Sequence, residues 1–139
     1  MASSAAPLVK VMRIGAGPVG TAGNDLITPV GVVDVAGTIT KVSIVPNAVI
    51  TGAATNNRKH TLYNRGGAGA GTTAVASRQY VSGTNAAIKV ATDLTLSGTA
   101  ADLVVAVGDV LEFESLHILT GIADPGETVE VTISRVQSE

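Results

Sequence analysis

The chain has no cysteine and no tryptophan, and only three of its 139 residues are aromatic: Tyr63, Tyr80 and Phe113. Without cysteine it has no disulfide bonds, no thiolate chemistry and no cysteine-ligated zinc or iron–sulfur centre. The scarcity of aromatic side chains disfavours a sugar-binding cleft and a base-stacking surface for nucleic acid. Because aromatic side chains bury the most area per residue, the expected core is also small, and oligomerisation is a plausible supplement.

Membrane and export signals are also missing from the pattern. No apolar run approaches the roughly 18 residues of a membrane-spanning helix. Residues 1–7 lack a basic segment followed by an apolar one, which a signal peptide requires. We therefore expect a chain that is made in the cytoplasm and does not bind membranes.

Val, Ile and Thr make up about a third of the chain. Such β-branched side chains are stiff at χ1 and fit a pleated sheet better than a helix. Charged residues contribute only 14%, which disfavours disorder. The composition therefore predicts an all-β protein.

Glycine and proline divide the chain into two predicted parts. Residues 1–29 are rich in Ala, Gly, Ser and Pro, and we expect them to form an extended N-terminal arm. From residue 30 onward, apolar and polar residues alternate between Gly, Pro and Asn turns. Residues 30–139 are therefore predicted to form an antiparallel β-sandwich or jelly-roll-like domain of about eight strands, which should stay folded without the arm. The expected strands lie at 30–35, 38–45, 58–64, 72–80, 86–91, 103–107, 110–116 and 128–136, with a short edge piece at 48–51. Residues 92–97 either continue the strand at 86–91 or form a separate one.

Alternation also predicts which side chains share a face. Val129, Val131 and Ile133 are expected to face the core from the last strand. Leu111 and Phe113 share one face of the preceding strand. His60 and Leu62 share a face of the strand at 58–64.

Two glycine motifs mimic nucleotide-binding loops. Residues 15–20 read G-x-G-x-x-G, but a glycine, an Asn-Asp pair and a proline follow where a helix would have to receive the pyrophosphate. Residues 66–73 are similar to a phosphate-binding loop, but Thr72 stands where the lysine is needed. We interpret the first motif as part of a flexible arm and the second as a hairpin loop, and expect no cofactor and no small-molecule substrate.

The titratable residues form no recognisable catalytic or metal-binding pattern. The candidates are the two histidines, His60 and His117, the paired Glu112 and Glu114, and the turn acids Asp109, Asp124 and Glu127. The histidines lack metal-ligand spacing, and the turn acids are typical of ordinary turns as well as of Ca²⁺ loops. We predict no catalytic residues, no metal site and no enzymatic activity.

Charge is segregated along the chain although the net charge is only −2. Residues 35–92 carry basic but no acidic residues, whereas residues 93–139 are strongly acidic. Antiparallel pairing would bring the two signs together within one subunit. Alternatively, each part forms a face that meets a neighbour of opposite sign. The basic residues are too sparse to favour nucleic acid.

Several stretches resemble the capsid decoration, or cement, proteins of tailed bacteriophages. They are residues 32–46, 58–66, 108–113 and 121–126 with the strand that follows. The resemblance covers most of residues 30–136 and rests on strand and turn phrases. It implies a non-enzymatic virion structural protein that binds the outer surface of an icosahedral capsid and stabilises it. Such proteins are typically homotrimers at three-fold and quasi-three-fold sites.

The resemblance also implies partners and contacts. The partners would be the major capsid protein and further copies of this chain, and some decoration proteins lay an N-terminal arm along the shell. The predicted partner contacts are Leu8, Val9, Val11, Met12, Arg13 and Ile14 in the arm, with Arg58, Lys59 and Arg65 as charge contacts. The alternative hypothesis is a tail, baseplate or surface module that binds a host glycan or protein.

Overall fold

Two antiparallel sheets face each other and enclose one apolar core. The structure is a computed structural model, and it describes residues 7–136. Ten strands are present in that range: β1 (Pro7–Ala16), β2 (Leu26–Val32), β3 (Gly37–Pro46), β4 (Asn57–Asn64), β5 (Thr73–Gln79), β6 (Thr92–Asp93), β7 (Thr95–Leu96), β8 (Val104–Val105), β9 (Val110–Ile118) and β10 (Glu127–Val136). The predicted all-β, antiparallel sandwich class is confirmed.

The strand order places distant parts of the chain side by side. The first sheet runs β1-β10-β3-β6, and β8 also pairs with β3. The second sheet runs β2-β9-β4-β5-β7. The long strands β9 and β10 are consecutive in sequence but lie in different sheets. The connection between them therefore crosses from one sheet to the other.

The core contains the β10 face that alternation predicted to point inward, and two further pairs that were predicted to share a face. Val129, Val131 and Ile133 are buried on β10, and Leu111 and Phe113 are buried on β9. His60 and Leu62 on β4 are fully buried as well. Period-2 alternation identified these faces because each sheet has one side toward the core and one toward solvent.

Two predicted strands are absent from the structure. Residues 86–91 form only an isolated bridge between Ala86 and Ile50, and Ile50 is the sole trace of the predicted edge piece at 48–51. Lys89 has a φ of 59°, which breaks an extended conformation. The alternating apolar residues Ile88 and Val90 favour a strand, but the backbone turns instead.

The predicted N-terminal arm is not separate from the sandwich in the described residues. β1 pairs with β10 along its whole length, and residues 26–29 belong to β2. Met12 and Ile14 pack against the core and Ala16 is buried in it. The apolar run within residues 8–14 alternates in and out, so it builds a sheet edge. Residues 1–6 of the predicted arm lie outside the described range.

The two glycine motifs occupy strands and turns. Residues 15–16 end β1, Val19 pairs with Asp124, and no helix follows within the described residues. Residues 65–72 connect β4 to β5 as the predicted hairpin loop. The longest helical element in residues 7–136 is a 3₁₀ turn at Ala100–Leu103, and no helix in that range could cross a membrane.

Replacing Ile14 by Ala tests whether β1 is part of the folded domain. Ile14 packs against the core, so the change should lower the free energy of unfolding by about 2 kcal/mol. Val9 lies on the same strand with a 61% exposed side chain, and Val9→Ala should cost less than about 0.5 kcal/mol. Urea unfolding measures both. Equal, small effects would mean that residues 7–16 do not contribute to the core.

Candidate functional site

The predicted apolar contacts divide between the two faces of β1. Met12 and Ile14 face the core, whereas Val9, Val11 and Arg13 point away from it. Val9 is 61% exposed, and Arg13 forms an ion pair with Glu130 at 2.7 Å. The remaining apolar residue of the set, the partly exposed Leu8, lies near the beginning of the strand. Of the predicted contacts on β1, only the outward residues lie on the solvent-facing side of the strand.

The three predicted basic contacts differ in accessibility. Arg58 is fully buried, so the prediction that it contacts a partner is wrong for this side chain. Arg65 is half-buried in an ion pair with Glu112, with Nε 2.8 Å from Oε1, and its guanidinium lies over the ring of Tyr63. Lys59 is half-buried on the outer side of β4. The arginines were chosen by charge, and alternation would have placed Arg58 on the inward face with His60.

Two of the segregated pairs of opposite charge meet inside the subunit. Lys41 pairs with Asp93 and Arg65 with Glu112, each joining a base of the middle region to an acid of the last third. Antiparallel pairing of these regions brings the signs together, as the first of the two interpretations held. The three aromatic rings are not free at the surface either. Tyr80 and Phe113 are buried, and the guanidinium of Arg65 lies over the ring of Tyr63.

A buried polar cluster lies between the sheets where β9 passes to β10. It consists of Arg58 and His60 on β4, Ser115 on β9, Asp124 in the β9–β10 connection, Glu127 at the start of β10, and Tyr80 directly after β5. Every one of these residues is at most 1% exposed. Because charged side chains are rarely buried without partners, this cluster is the most unusual feature of the interior.

Asp124 is the centre of the hydrogen bonds in this cluster. Its Oδ2 accepts from Ser115 Oγ at 2.5 Å and lies 2.8 Å from His60 Nε2. Its Oδ1 accepts from the backbone N–H of Gly126 at 2.9 Å. On the other side of the imidazole, Tyr80 Oη lies 2.9 Å from His60 Nδ1. One chain of contacts therefore runs from the turn through His60 to Tyr80.

Arg58 is hydrogen-bonded in every direction. Its Nε donates to Ile122 O at 2.7 Å, and its Nη2 donates to Ala22 O and Asn24 O at 3.0 Å each. Its Nη1 donates to the backbone oxygen and to Oγ of Ser115, both at 3.2 Å. These five bonds use the whole donor fork of a guanidinium. Arg58 thus ties together the β1–β2 and β9–β10 connections.

Glu127 is the incompletely satisfied member. Its Oε1 lies 3.4 Å from His60 Nε2, and neither of its carboxyl oxygens accepts a hydrogen bond from a donor in the described residues. Burial, a side-chain hydrogen bond with Asp124 and the charge of Asp124 raise the pKa of Glu127 to about 10. Without another cation Glu127 therefore holds its proton at neutral pH.

The other titratable groups follow from the same arrangement. Burial lowers the pKa of His60, and the hydrogen bond with Asp124 opposes this only in part. Burial acts to raise the pKa of Asp124, but the hydrogen bonds from His60, Glu127 and Ser115 outweigh it, so the pKa lies below its ordinary value. The cluster then contains the Arg58 cation, the Asp124 anion and neutral His60 and Glu127.

The geometry does not favour nucleophilic catalysis. Ser115 Oγ donates to Asp124, so no imidazole stands ready to take its proton, and the cluster is closed to solvent. A shallow surface pocket between β5 and β7, lined by residues 74–77 and 95–97, carries no titratable side chain. Three potential metal ligands do meet in the cluster: His60, Asp124 and Glu127 have ligand atoms within 4.8 Å of one another.

The sequence offers each of these three residues as a separate candidate, but its pattern does not predict that they meet in one cluster. His60 and Asp124 are 64 positions apart, so no local spacing encodes their contact. One signal was present: His60 shares the face of buried Leu62, and a buried histidine needs a polar partner. The spacing of the turn acids did not indicate which of them would be that partner.

Comparisons with known proteins gave structural likenesses only. No protein-family model and no curated protein matches the chain. The crystal structure of the infectious bursal disease virus VP2 subviral particle is 14% identical with a TM-score of 0.48, covering 94% of this chain and 34% of that one. The structure of infectious bursal disease virus Gx strain is 13% identical with a TM-score of 0.42, covering 94% and 33%. This chain thus spans about a third of their length, and a likeness of this degree assigns no function.

Replacing Arg58 by Met tests the buried network. The change leaves Asp124 without its nearby cation and should lower the free energy of unfolding by about 3–5 kcal/mol. Lys59→Met on the outer side of the same strand is the matched control and should cost less than about 1 kcal/mol. Urea unfolding at pH 7 measures both. An Arg58→Met variant as stable as the control would contradict the assigned role.

The raised pKa of Glu127 predicts an unusual pH dependence. Unfolded, Glu127 loses its proton near 4.5, but folded it keeps the proton to about 10, so the folded state binds one more proton in between. In buffer with EDTA, stability should therefore fall as pH rises from 7 to 9, by up to about 1.4 kcal/mol per unit. Glu127→Gln should remove this slope, whereas Glu114→Gln should keep it. Urea unfolding at three pH values measures the free energy of unfolding and hence the slope. If Glu127→Gln retained the slope, the raised pKa of Glu127 would not be its cause.

Proposed function

We propose that this chain is a non-enzymatic structural protein of a tailed bacteriophage virion. In this role it decorates the outer surface of the icosahedral capsid, binds the major capsid protein and stabilises the shell. It acts as a homotrimer at three-fold and quasi-three-fold sites. The resemblance of its strand and turn phrases to capsid decoration proteins supports the class, and the β-sandwich fits it.

The open edge of β1 is the observation that carries this proposal. β1 is ten residues long and pairs on one side only among the described residues. A long exposed edge is a template for pairing with another chain, and proteins that stay single usually blunt it. The other sheet ends have such protection: β2 contains Pro29 and a bulge, and β6, β7 and β8 are two residues each.

The side chains of β1 suit a partner as well. Its two cations, Lys10 and Arg13, are engaged with Asp34 and Glu130, so they oppose an approaching strand less than free charges would. Val9 and the half-buried Val11 leave apolar surface beside the edge. Covering this surface would add the burial that a core with three aromatic residues lacks. Repeated around a symmetric shell, such modest contacts give high avidity.

Binding to capsids tests the proposal. The major capsid protein encoded in the same genome is assembled into shells, mixed with the purified chain and sedimented. We expect the chain to co-sediment and to occupy three-fold sites in cryo-electron microscopy. The double variant Val9→Lys/Val11→Lys should reduce occupancy at least tenfold, because both charges would lie beside the open edge. Light scattering should give the mass of a trimer for the free chain.

Val49→Lys is the matched control. Val49 is 60% exposed, like Val9. It follows Pro46, which pairs with Glu127 at the start of β10, whereas Val9 pairs with Ser134 near the end of β10. The Val49→Lys variant should therefore bind as wild type does. Absence of co-sedimentation by the wild-type chain would overturn the capsid role. Wild-type occupancy by the double variant would overturn the role of β1, and a stable monomer would overturn the trimer.

A further inference from the structure

Three side chains in the buried cluster offer donors for one ion. His60 Nε2 and a carboxylate oxygen each of Asp124 and Glu127 lie within 4.8 Å of one another. Ligands bound at about 2.1 Å to a tetrahedral ion are about 3.4 Å apart. His60 Nε2 and Glu127 Oε1 are separated by 3.4 Å, and Nε2 and Asp124 Oδ2 by 2.8 Å. Small rotations of the carboxylates would complete the geometry.

Glu127 supplies a second, independent observation. Its carboxyl group is 1% exposed and directed at His60, yet its two oxygens accept no hydrogen bond from a described donor. Arg58 balances only one of the two neighbouring carboxylates. The second negative charge therefore needs either a proton or a cation, since a buried carboxylate without a partner is costly.

The surroundings of His60 fit a metal ligand. Ligating histidines usually hold their second ring nitrogen by a hydrogen bond. With a metal on Nε2 the remaining proton lies on Nδ1, where Tyr80 Oη at 2.9 Å accepts it. The rings of Tyr80 and Phe113, each with its centroid 5.0 Å from that of His60, fix the imidazole plane. Ser115 Oγ, which is hydrogen-bonded to Asp124 Oδ2, would be the fourth ligand.

We propose that His60, Asp124 and Glu127 bind one divalent transition-metal ion, with Zn²⁺ as the best match. One imidazole and two carboxylates with few further oxygens suit Zn²⁺ better than Ca²⁺, which takes six to eight oxygens. Binding releases the proton of Glu127 and replaces the hydrogen bond between His60 and Asp124 with two bonds to the ion. Because the site is closed to solvent, its role is structural.

The ion would join the two sheets at one end of the sandwich. His60 lies on β4 in the second sheet, Glu127 on β10 in the first, and Asp124 in the connection between sheets. A chain without cysteine cannot use a disulfide for this purpose, and a structural metal is the other common staple of small domains. This inference does not depend on what the assembled protein binds.

Refolding with defined metals tests the site, because a closed site loads slowly in the folded state. The full chain is unfolded in urea with EDTA, refolded with Zn²⁺, Mn²⁺, Ca²⁺ or EDTA alone, and desalted. We expect one Zn²⁺ per chain by elemental mass spectrometry, and a higher melting temperature than in EDTA. Co²⁺ in place of Zn²⁺ should give the visible absorption of a low-coordinate site.

Glu127→Gln should retain at least tenfold less Zn²⁺, and Glu114→Gln on the exposed side of β9 is the matched control that should retain it fully. The wild-type stoichiometry decides the question even if Glu127→Gln fails to fold. No retained metal, with equal melting temperatures in Zn²⁺ and EDTA, would overturn the site. Equal retention by Glu127→Gln would overturn these ligands, and retention of Ca²⁺ without Zn²⁺ would overturn the choice of metal.

Discussion

The buried guanidinium of Arg58 is the constraint on which this sandwich depends. A cation without solvent must have every donor satisfied, and Arg58 achieves this with four backbone oxygens and one hydroxyl. Three of those acceptors belong to the β1–β2 and β9–β10 connections, each of which crosses between the sheets, and the other two belong to Ser115 on β9. The Arg58 cation also lies close to Asp124, and the Asp124 carboxylate in turn orients His60 through a hydrogen bond. The polar contacts of this cluster thus add to the apolar packing that fills the rest of the interior.

Much of the fold could be predicted from the sequence because each sheet has one core-facing side and one solvent-facing side. Alternation identified the buried side chains of β10 and grouped Leu111 with Phe113 on β9 without knowledge of their partners. The boundaries near Lys89 could not be found, since a left-handed backbone at a lysine follows from the local turn and not from side-chain preference. The placement of residues 7–16 also failed, because glycine and proline nearby outweighed the short alternating run.

The polar cluster illustrates a different limit. His60 could be assigned to a face by its neighbour Leu62, but its acidic partners lie on a connection and a strand that only the sheet order brings near. Charge was an equally poor guide to exposure. Arg58 and Lys59 are adjacent in sequence, but Arg58 is fully buried whereas Lys59 is only half-buried. Their alternation with His60 and Leu62 would have separated them, so periodicity is more informative than residue type on such a strand.

The pairing of β1 with β10 also affects how the chain can fold during synthesis. Arg13 and Glu130 are 117 positions apart, so β1 leaves the ribosome long before β10, its partner strand among residues 7–136, exists. At translation rates of about 5–20 residues per second the interval is on the order of ten seconds. During that time the alternating apolar side chains of β1 have no sheet to join. Closure of the first sheet is therefore a late, non-local step, which makes nascent chains dependent on low local concentration or chaperones to avoid premature association.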